Sequence, residues 1–221
     1  MRLERDGRIV VAIMDRGENR FHPDHLTEIE EALDEIEAMD GNPAAVLTGE
    51  GKFFSLGLDL DWMGTADPAD AMASVERTMT LLARILTAPF ATVAAVNGHA
   101  FGGGAMLALA CDARVMREDR GYVCFPEVDV DLVFLPGMSA LIAGRLTPQA
   151  AHEAMLSGAR YGADDALRLG IADATSAEGA LVTAAAERAA ALAGKNPATV
   201  SGIKAGLYGE IVAKLREPIA T

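Results

Sequence analysis

The chain has 221 residues, of which 51% are hydrophobic and 23% are charged. This length and composition predict one compact domain with a sizeable core. The formal net charge of −13 argues against nucleic acid and anionic membranes as partners, because no basic face is expected to meet them. The charged start of the sequence, and the lack of an apolar run of about 18 residues, predict a soluble, cytoplasmic protein.

Short apolar runs rich in β-branched residues predict strands that are largely buried on both faces. They cover 8–14, 44–49, 92–98, 113–118 and 122–125. Between them lie two apolar stripes at helical spacing, Leu26, Ile29, Leu33 and Ile36 in one and Met72, Val75, Met79, Leu82 and Leu86 in the other. Strands and helices that alternate in this order favour an α/β fold with parallel strands.

From Pro136 onward the pattern predicts helices only. They are expected at 137–146, 148–158 and 163–170, then around 177–194 and 197–215. We therefore expect residues 1–136 to form the α/β core with the substrate site. Residues 137–221 are expected to form a helical region for packing and oligomerisation within the same structural unit.

Metal and redox chemistry are not predicted. Cys111 and Cys124 stand in apolar surroundings without metal-ligand spacing, so buried, reduced thiols are expected. His22, His25 and His152 show no ligand spacing either.

Two glycine turns follow predicted strands, 53-FFSLGLDL-60 and 98-GHAFGGGA-105. Each turn could present a free backbone N–H, and two such donors aimed at one point would form an oxyanion hole. Two alternatives stay open for the run Gly102 to Gly104, tight packing of a helix on a strand and a phosphate cradle. The phosphate cradle is weakened by the absence of a GxxxxGK[ST] motif.

An acidic residue with candidate catalytic character occurs in 121-GYVCFPEVDVDLVFLPGM-138. Glu127 follows a proline and is flanked by apolar residues, and desolvation there would raise its pKa toward values useful for a general base. Asp129 and Asp131 are its rivals. A surface loop of solvated acids is the alternative interpretation of all three.

These segments together resemble the enoyl-CoA hydratase/isomerase (crotonase) superfamily. The resemblance is carried by SLGLDL, VNGHAFGGG, ALACDARV and FPEV, and it extends to 154-AMLSGARYGADDALRLGIAD-173. It implies a spiral of ββα repeats with a C-terminal helical region, assembled as a homotrimer or a dimer of trimers. It also implies an acyl-CoA substrate, with coenzyme A present as part of that substrate and no permanently bound cofactor.

The resemblance also implies a chemical role for three positions. The backbone N–H groups of Leu58 and Gly103 match the oxyanion hole that holds the thioester carbonyl as it becomes an enolate. Hydratases of this family use two glutamates, but here the first position is Met106 and only the second, Glu127, is acidic. One base and no positioned water favour the Δ3,Δ2-enoyl-CoA isomerase branch, acting in fatty acid β-oxidation. Other enolate chemistry (hydratase, dehalogenase or decarboxylase type) and a non-catalytic acyl-CoA-binding oligomer remain alternatives.

Further residues are expected around the substrate by the same resemblance. Lys204 resembles a lysine that reaches the phosphates of coenzyme A from the C-terminal region, with an ordinary exposed helix lysine as the alternative. Asp131 stands where many relatives have glycine, and it could raise the pKa of Glu127 or face solvent. The full expected substrate-binding set is Phe54, Ser55, Gly57, Asp59, Leu60, Trp62, Gly102, Met106 and Lys204.

Overall fold

The computed structural model describes residues 1–219. Its strands are β1 (Arg2–Asp6), β2 (Ile9–Met14), β3 (Arg20–Phe21), β4 (Ala44–Gly49), β5 (Phe53–Ser55), β6 (Gly57–Leu58), β7 (Ala91–Val96), β8 (His99–Phe101), β9 (Ala113–Arg117), β10 (Val123–Cys124) and β11 (Ala174–Ser176). Its α-helices are α1 (Pro23–Ala38), α2 (Leu60–Met63), α3 (Pro68–Leu86), α4 (Gly103–Ala110), α5 (Pro136–Arg145), α6 (Pro148–Ser157), α7 (Ala163–Arg168), α8 (Leu181–Ala190) and α9 (Pro197–Leu215). Two 3-10 turns cover Pro126–Val130 and Glu178–Ala180. No helix in the described range is long and apolar enough to cross a membrane.

The main sheet has six strands in the order β1-β2-β4-β7-β9-β11. Only the edge pair β1 and β2 is antiparallel, and every other neighbouring pair is parallel. The central strands β4, β7 and β9 are buried almost throughout, as their continuous apolar sequences predict. The predicted α/β fold with parallel strands is therefore confirmed.

A second, smaller sheet carries the glycine turns. It is a parallel sheet in the order β10-β8-β5, and β3 pairs separately with β6. Along the chain a strand of the main sheet is followed by a short strand of the small sheet and then by a helix. This occurs as β7-β8-α4 and again as β9-β10-α5. The expected ββα repeats are thus present, and each one delivers a turn to the same side of the molecule.

Both predicted apolar stripes face the core. Leu26, Ile29, Leu33 and Ile36 of α1 are at most 3% exposed, and α1 begins after His22, whose ring accepts a hydrogen bond from the Asp24 N–H. In α3 the stripe residues from Val75 onward are buried, while Met72 is only partly covered. The helix over 197–215 has the predicted bounds, and Cys111 and Cys124 are buried free thiols.

The prediction of helices only after Pro136 is wrong. Strand β11 pairs in parallel with β9 and forms an edge of the main sheet. Helix α8 then covers the face of this sheet opposite the main core, where Leu181, Ala185 and Ala189 pack against alanine and valine side chains of the central strands. β11 was missed because three residues, Ala-Thr-Ser, carry no apolar alternation that a periodicity argument can detect.

Candidate active site

A cleft with a volume of about 320 Å³ lies where the small sheet, α4 and the 3-10 turn Pro126–Val130 meet. It is mostly apolar, with three charged side chains. Its lining residues are Arg20, Leu56, Leu58, Leu60, Asp61, Phe101, Gly102, Gly103, Pro126, Glu127, Val130, Leu132 and Met138.

The two glycine turns meet at this cleft because their backbones pack without side chains between them. A β-carbon placed on Gly57 would lie 2.6 Å from the backbone nitrogen of Gly103, and one on Gly104 would lie 2.0 Å from the carbonyl oxygen of Ser55. Neither distance is possible for a real β-carbon, so only glycine allows this approach. The Ser55 hydroxyl donates to the Asn19 carbonyl and accepts from the Gly57 N–H, which fixes the first turn.

Helix α4 starts at the cleft without a capping side chain. Its N-cap residue, Gly102, has φ +52°, a conformation that favours glycine. The first helical hydrogen bond runs from the Met106 N–H to the Gly102 carbonyl. The N–H groups of the first turn, including that of Gly103, have no intrahelical acceptor, and they carry the positive end of the helix dipole. The cleft wall at Gly103 therefore favours a group with developing negative charge.

The carboxyl group of Glu127 lies beside this helix start. A β-carbon on Gly102 would lie 3.7 Å from Oε1 of Glu127. The glutamate is 9% exposed, and its buried Oε2 atom has no hydrogen-bond partner. Burial raises the pKa of the Glu127 carboxyl above its ordinary value of 4.5. An unpartnered carboxyl of this kind can accept a proton from a bound molecule.

Neither rival acid shares this environment. Asp129 and Asp131 are both exposed, and neither lines the cleft. Asp131 has φ +55° and ends the 3-10 turn, with its N–H donating to the Glu127 carbonyl. Desolvation raises the pKa of Glu127, and Asp131 is not among the causes. Of the two interpretations of Asp131, the structure supports the one in which it faces solvent.

Apolar side chains from two segments line the cleft together with Glu127. Leu56, Leu58 and Leu60 occupy every second position of the segment that leads from β5 into α2, and Val130 and Leu132 follow Glu127 in sequence. Leu60, Val130 and Leu132 are each more than half exposed, so the apolar surface continues to the outside of the molecule. This arrangement fits a ligand with a hydrocarbon chain.

Two further charges stand at the mouth of the cleft. Nη1 of Arg20 lies 2.6 Å from Oδ2 of Asp61, whose side chain is 88% exposed. Nε of Arg20 also pairs with Glu18 at 2.7 Å. Asp61 is thus an exposed and paired acid, which leaves Glu127 as the buried, unpaired carboxyl of the cleft. Across residues 1–219 no group of three or more histidine, cysteine or acidic residues could hold a metal ion.

The structure brings five of the predicted site residues together at the cleft, namely Leu58, Leu60, Gly102, Gly103 and Glu127. The other predicted residues do not line it. Met106 and Phe54 are fully buried in the hydrophobic core, and Ser55 and Gly57 lie behind the cleft wall. Asp59 caps α2 and borders a neighbouring depression, and Trp62 packs edge-on against His22.

The structure places Lys204 away from the cleft and gives it partners within the protein. Lys204 is 7% exposed, and its Nζ atom lies 2.8 Å from Oδ2 of Asp112 and 2.9 Å from the Phe90 carbonyl. A buried ammonium needs such partners, and they leave it tied to the main sheet. The alternative interpretation, an ordinary exposed lysine, is wrong, because Lys204 is buried and ties α9 to Asp112 and Phe90.

Sequence reasoning missed several lining residues. Leu56 is one of them, and its spacing of two residues from the predicted Leu58, and of four from the predicted Leu60, could have indicated a shared face. Arg20, Phe101 and Met138 gave no comparable signal. They come from β3, β8 and α5, which only the tertiary structure brings to one place.

Solved structures define the class of fold. A probable enoyl-CoA hydratase from Mycobacterium tuberculosis superposes with a TM-score of 0.91 over 98% of this chain and 92% of its own, at 26% sequence identity. Human mitochondrial delta3-delta2-enoyl-CoA isomerase superposes with a TM-score of 0.89 over 96% of this chain and 84% of its own, at 24% identity, which supports the fold alone. The chain has the crotonase fold.

Sequence comparison gives the family. Residues 4–219 match the profile described as enoyl-CoA hydratase/isomerase, and the chain belongs to that family. Enoyl-CoA delta isomerase 2, peroxisomal, from Arabidopsis thaliana is 35% identical over 206 residues, which are 88% of this chain and 86% of the relative. A putative enoyl-CoA hydratase from Thermus thermophilus is 36% identical over 173 residues, covering 75% of this chain and 66% of the relative. Relatives with both kinds of name therefore resemble it.

Proposed function

We propose that this enzyme moves the double bond of a 3-enoyl-CoA to the 2-position. The observation that carries the proposal is the buried, unpartnered Oε2 of Glu127 in an apolar cleft, beside the start of α4. In this reaction Glu127 removes a proton from C2, and the electrons of that C–H bond pass into the thioester to form a dienolate. The protonated Glu127 then returns the proton to C4, and the C3=C4 bond becomes C2=C3.

The negative charge of the dienolate lies on the thioester oxygen. In the proposal this oxygen accepts hydrogen bonds from the backbone N–H groups of Leu58 and Gly103. Both residues line the cleft, and Gly103 begins a helix whose first turn has no capping side chain. Donors of this kind contribute roughly 3–4 kcal/mol each to stabilising such a charge.

Isomerisation is favoured over hydration by the surroundings of Glu127. Addition of water needs a second group that holds the water, and the position just after the glycine run is Met106, which is buried in the core. The other carboxyl of the cleft, Asp61, is exposed and paired with Arg20. One buried carboxyl suffices for transfer of a proton from C2 to C4.

The test is a parallel assay of the wild type, Glu127→Gln and Asp129→Asn on a 3-enoyl-CoA and a 2-enoyl-CoA. We expect the wild type to form the conjugated thioester from the 3-enoyl-CoA without hydrating the 2-enoyl-CoA. Glu127→Gln should bind substrate yet lose at least about 100-fold in kcat, because general base catalysis contributes that much or more. Asp129→Asn changes an exposed acid of the same turn and should retain turnover.

Other outcomes of this assay would contradict the proposal. Hydration of the 2-enoyl-CoA would make the chain a hydratase. Full activity of Glu127→Gln would remove Glu127 as the base, and tight binding without turnover of either substrate would favour an acyl-CoA-binding oligomer. The proposal further includes a homotrimer or a dimer of trimers, a role in fatty acid β-oxidation and a cytoplasmic location.

A further inference from the structure

The C-terminal end of α4 is buried and needs hydrogen-bond donors. All eight residues of this helix are buried, and no side chain caps its start. The last carbonyls of any helix lack intrahelical partners, and water cannot supply them in a core. A donor that binds these carbonyls also restrains movement of α4 along its own axis.

Arg145, in the last turn of α5, supplies several of these donors. Its Nε donates to the Leu109 carbonyl at 2.8 Å, and its Nη2 donates to the Cys111 carbonyl at 2.7 Å and the Asp112 carbonyl at 3.1 Å. Its Nη1 donates to the Tyr208 hydroxyl at 2.5 Å, which connects α9 to the same point. The planar guanidinium has donors in a fixed geometry that can serve several carbonyls at once, which a lysine ammonium cannot reproduce.

The contact joins the two helices whose opposite ends form the candidate site. Gly103 in the first turn of α4 and Met138 in the first turn of α5 both line the cleft. The last turns of the same helices meet at Leu109 and Arg145. The helices therefore run in the same direction, and Arg145 fixes one against the other at the end remote from the cleft.

The position of α4 along its axis relative to α5 affects the distance between Gly103 and Glu127. Helix α4 presents Gly103, whereas α5 begins after the five residues 131–135 that follow the 3-10 turn carrying Glu127. Eight helical residues span only about 12 Å, so a displacement at the Arg145 end is transmitted to Gly103. The side chains of α4 are all apolar, so its directional contacts lie at its two ends, the close backbone approach at Gly103 and Gly104 and the hydrogen bonds from Arg145.

We propose that Arg145 is a positioning residue for the reaction, holding the Gly103 N–H at the correct distance from Glu127. This inference rests on the proposed function, since it concerns the same site. Arg145 does not line the cleft. Its action is to fix α4, the element that carries the oxyanion donor.

The experiment compares the wild type with Arg145→Lys and Arg145→Ala. We expect kcat on a 3-enoyl-CoA to fall by between about 10-fold and 100-fold, with KM changed much less, because small misplacements of catalytic groups have effects of this size. Guanidinium ion at low millimolar concentration should restore part of the turnover of Arg145→Ala, and sodium chloride at the same ionic strength should not. Arg168→Lys, which alters an exposed arginine paired with Asp165, is the matched control and should behave as wild type.

A second readout does not depend on turnover. The infrared carbonyl band of a bound, saturated acyl-CoA labelled with ¹³C at the thioester carbon reports hydrogen bonding to that oxygen. We expect a shift to lower wavenumber in the wild type and a smaller shift in both Arg145 variants. If the wild type shows this shift but does not isomerise the 3-enoyl-CoA, the proposed function is contradicted. A smaller shift in the Arg145 variants would still support the positioning role in that case.

A purely structural role gives a different pattern. In that case the Arg145 variants melt at lower temperature, but their folded fraction keeps the kcat and the carbonyl shift of the wild type. That result, or the absence of any carbonyl shift in the wild type, would overturn the inference.

Discussion

The proposed reaction depends on one carboxyl group, that of Glu127. Its Oε2 atom is removed from water without a protein donor in return, so the charged form is disfavoured and the pKa of the side chain is raised. The same burial that makes the group a better proton acceptor therefore makes the folded protein less stable whenever the group is ionised.

This effect predicts how the stability of the protein depends on pH. Between 4.5 and its raised pKa, Glu127 is protonated more fully in the folded than in the unfolded state, so stability falls as pH rises through that window. Glu127→Gln has no such titration. The melting temperature of Glu127→Gln minus that of the wild type should therefore increase as pH rises from below 4.5 to 7. Thermal denaturation of both proteins across this pH range measures the difference. Asp129→Asn, an exposed control, should show no such trend, and a difference for Glu127→Gln that is constant or declining with pH would contradict the assignment.

At the scale of elements, helix α4 can approach the small sheet only because its first turn lacks side chains. The carbonyl of Ser55 in β5 occupies the space where a β-carbon of Gly104 would be. In α9, by contrast, a β-carbon on Gly206 meets nothing within 4 Å. Glycine is thus a packing requirement at Gly104 and an entropic cost at Gly206.

Substitution by alanine at these two positions should have opposite effects on the free energy of unfolding. Gly104→Ala should lower the free energy of unfolding by about 3 kcal/mol or more, because backbone atoms must move to accept the methyl group. Gly206→Ala should leave it unchanged or raise it by up to about 1 kcal/mol, since alanine is the better helix former. Denaturant unfolding of both variants provides the measurement. Equal effects at the two sites would show that α4 is not packed against Ser55 as described.

At the scale of the whole molecule, apolar residues remain uncovered on the C-terminal helical region. Leu207 is 66% exposed, Ile203 is 59% exposed and Leu192 is 41% exposed, and all three border one groove beside α9. A patch of this kind is typical of a surface that another subunit covers.

The proposed trimer predicts a definite mass. Light scattering on the eluting protein should give three times the 23.1 kDa of one chain, or six times for a dimer of trimers. Leu207→Asp should shift the protein toward smaller species, because a charge would enter a covered apolar contact. A monomeric wild type would contradict the assembly.

Much of the fold could be predicted from local pattern. The buried strands β4, β7 and β9 have continuous apolar sequences, which predict strands covered on both faces. Helices α1 and α3 have apolar residues at helical spacing, and α9 has a composition typical of a helix. Short strands such as β3, β6 and β11 have two or three residues and no periodicity. Their existence depends on pairing with distant segments, which no local pattern records.

The sequence by itself determined the family resemblance, the glycine turns and Glu127 as the candidate base, because these are properties of residue type and order. Only the tertiary structure decided that Lys204 pairs with Asp112, that Met106 enters the core and that Asp131 faces solvent. It alone placed Arg145 at the end of α4. The physical reason is that a side chain's charge, exposure and partners are set by residues far away in sequence, which folding brings within hydrogen-bonding distance.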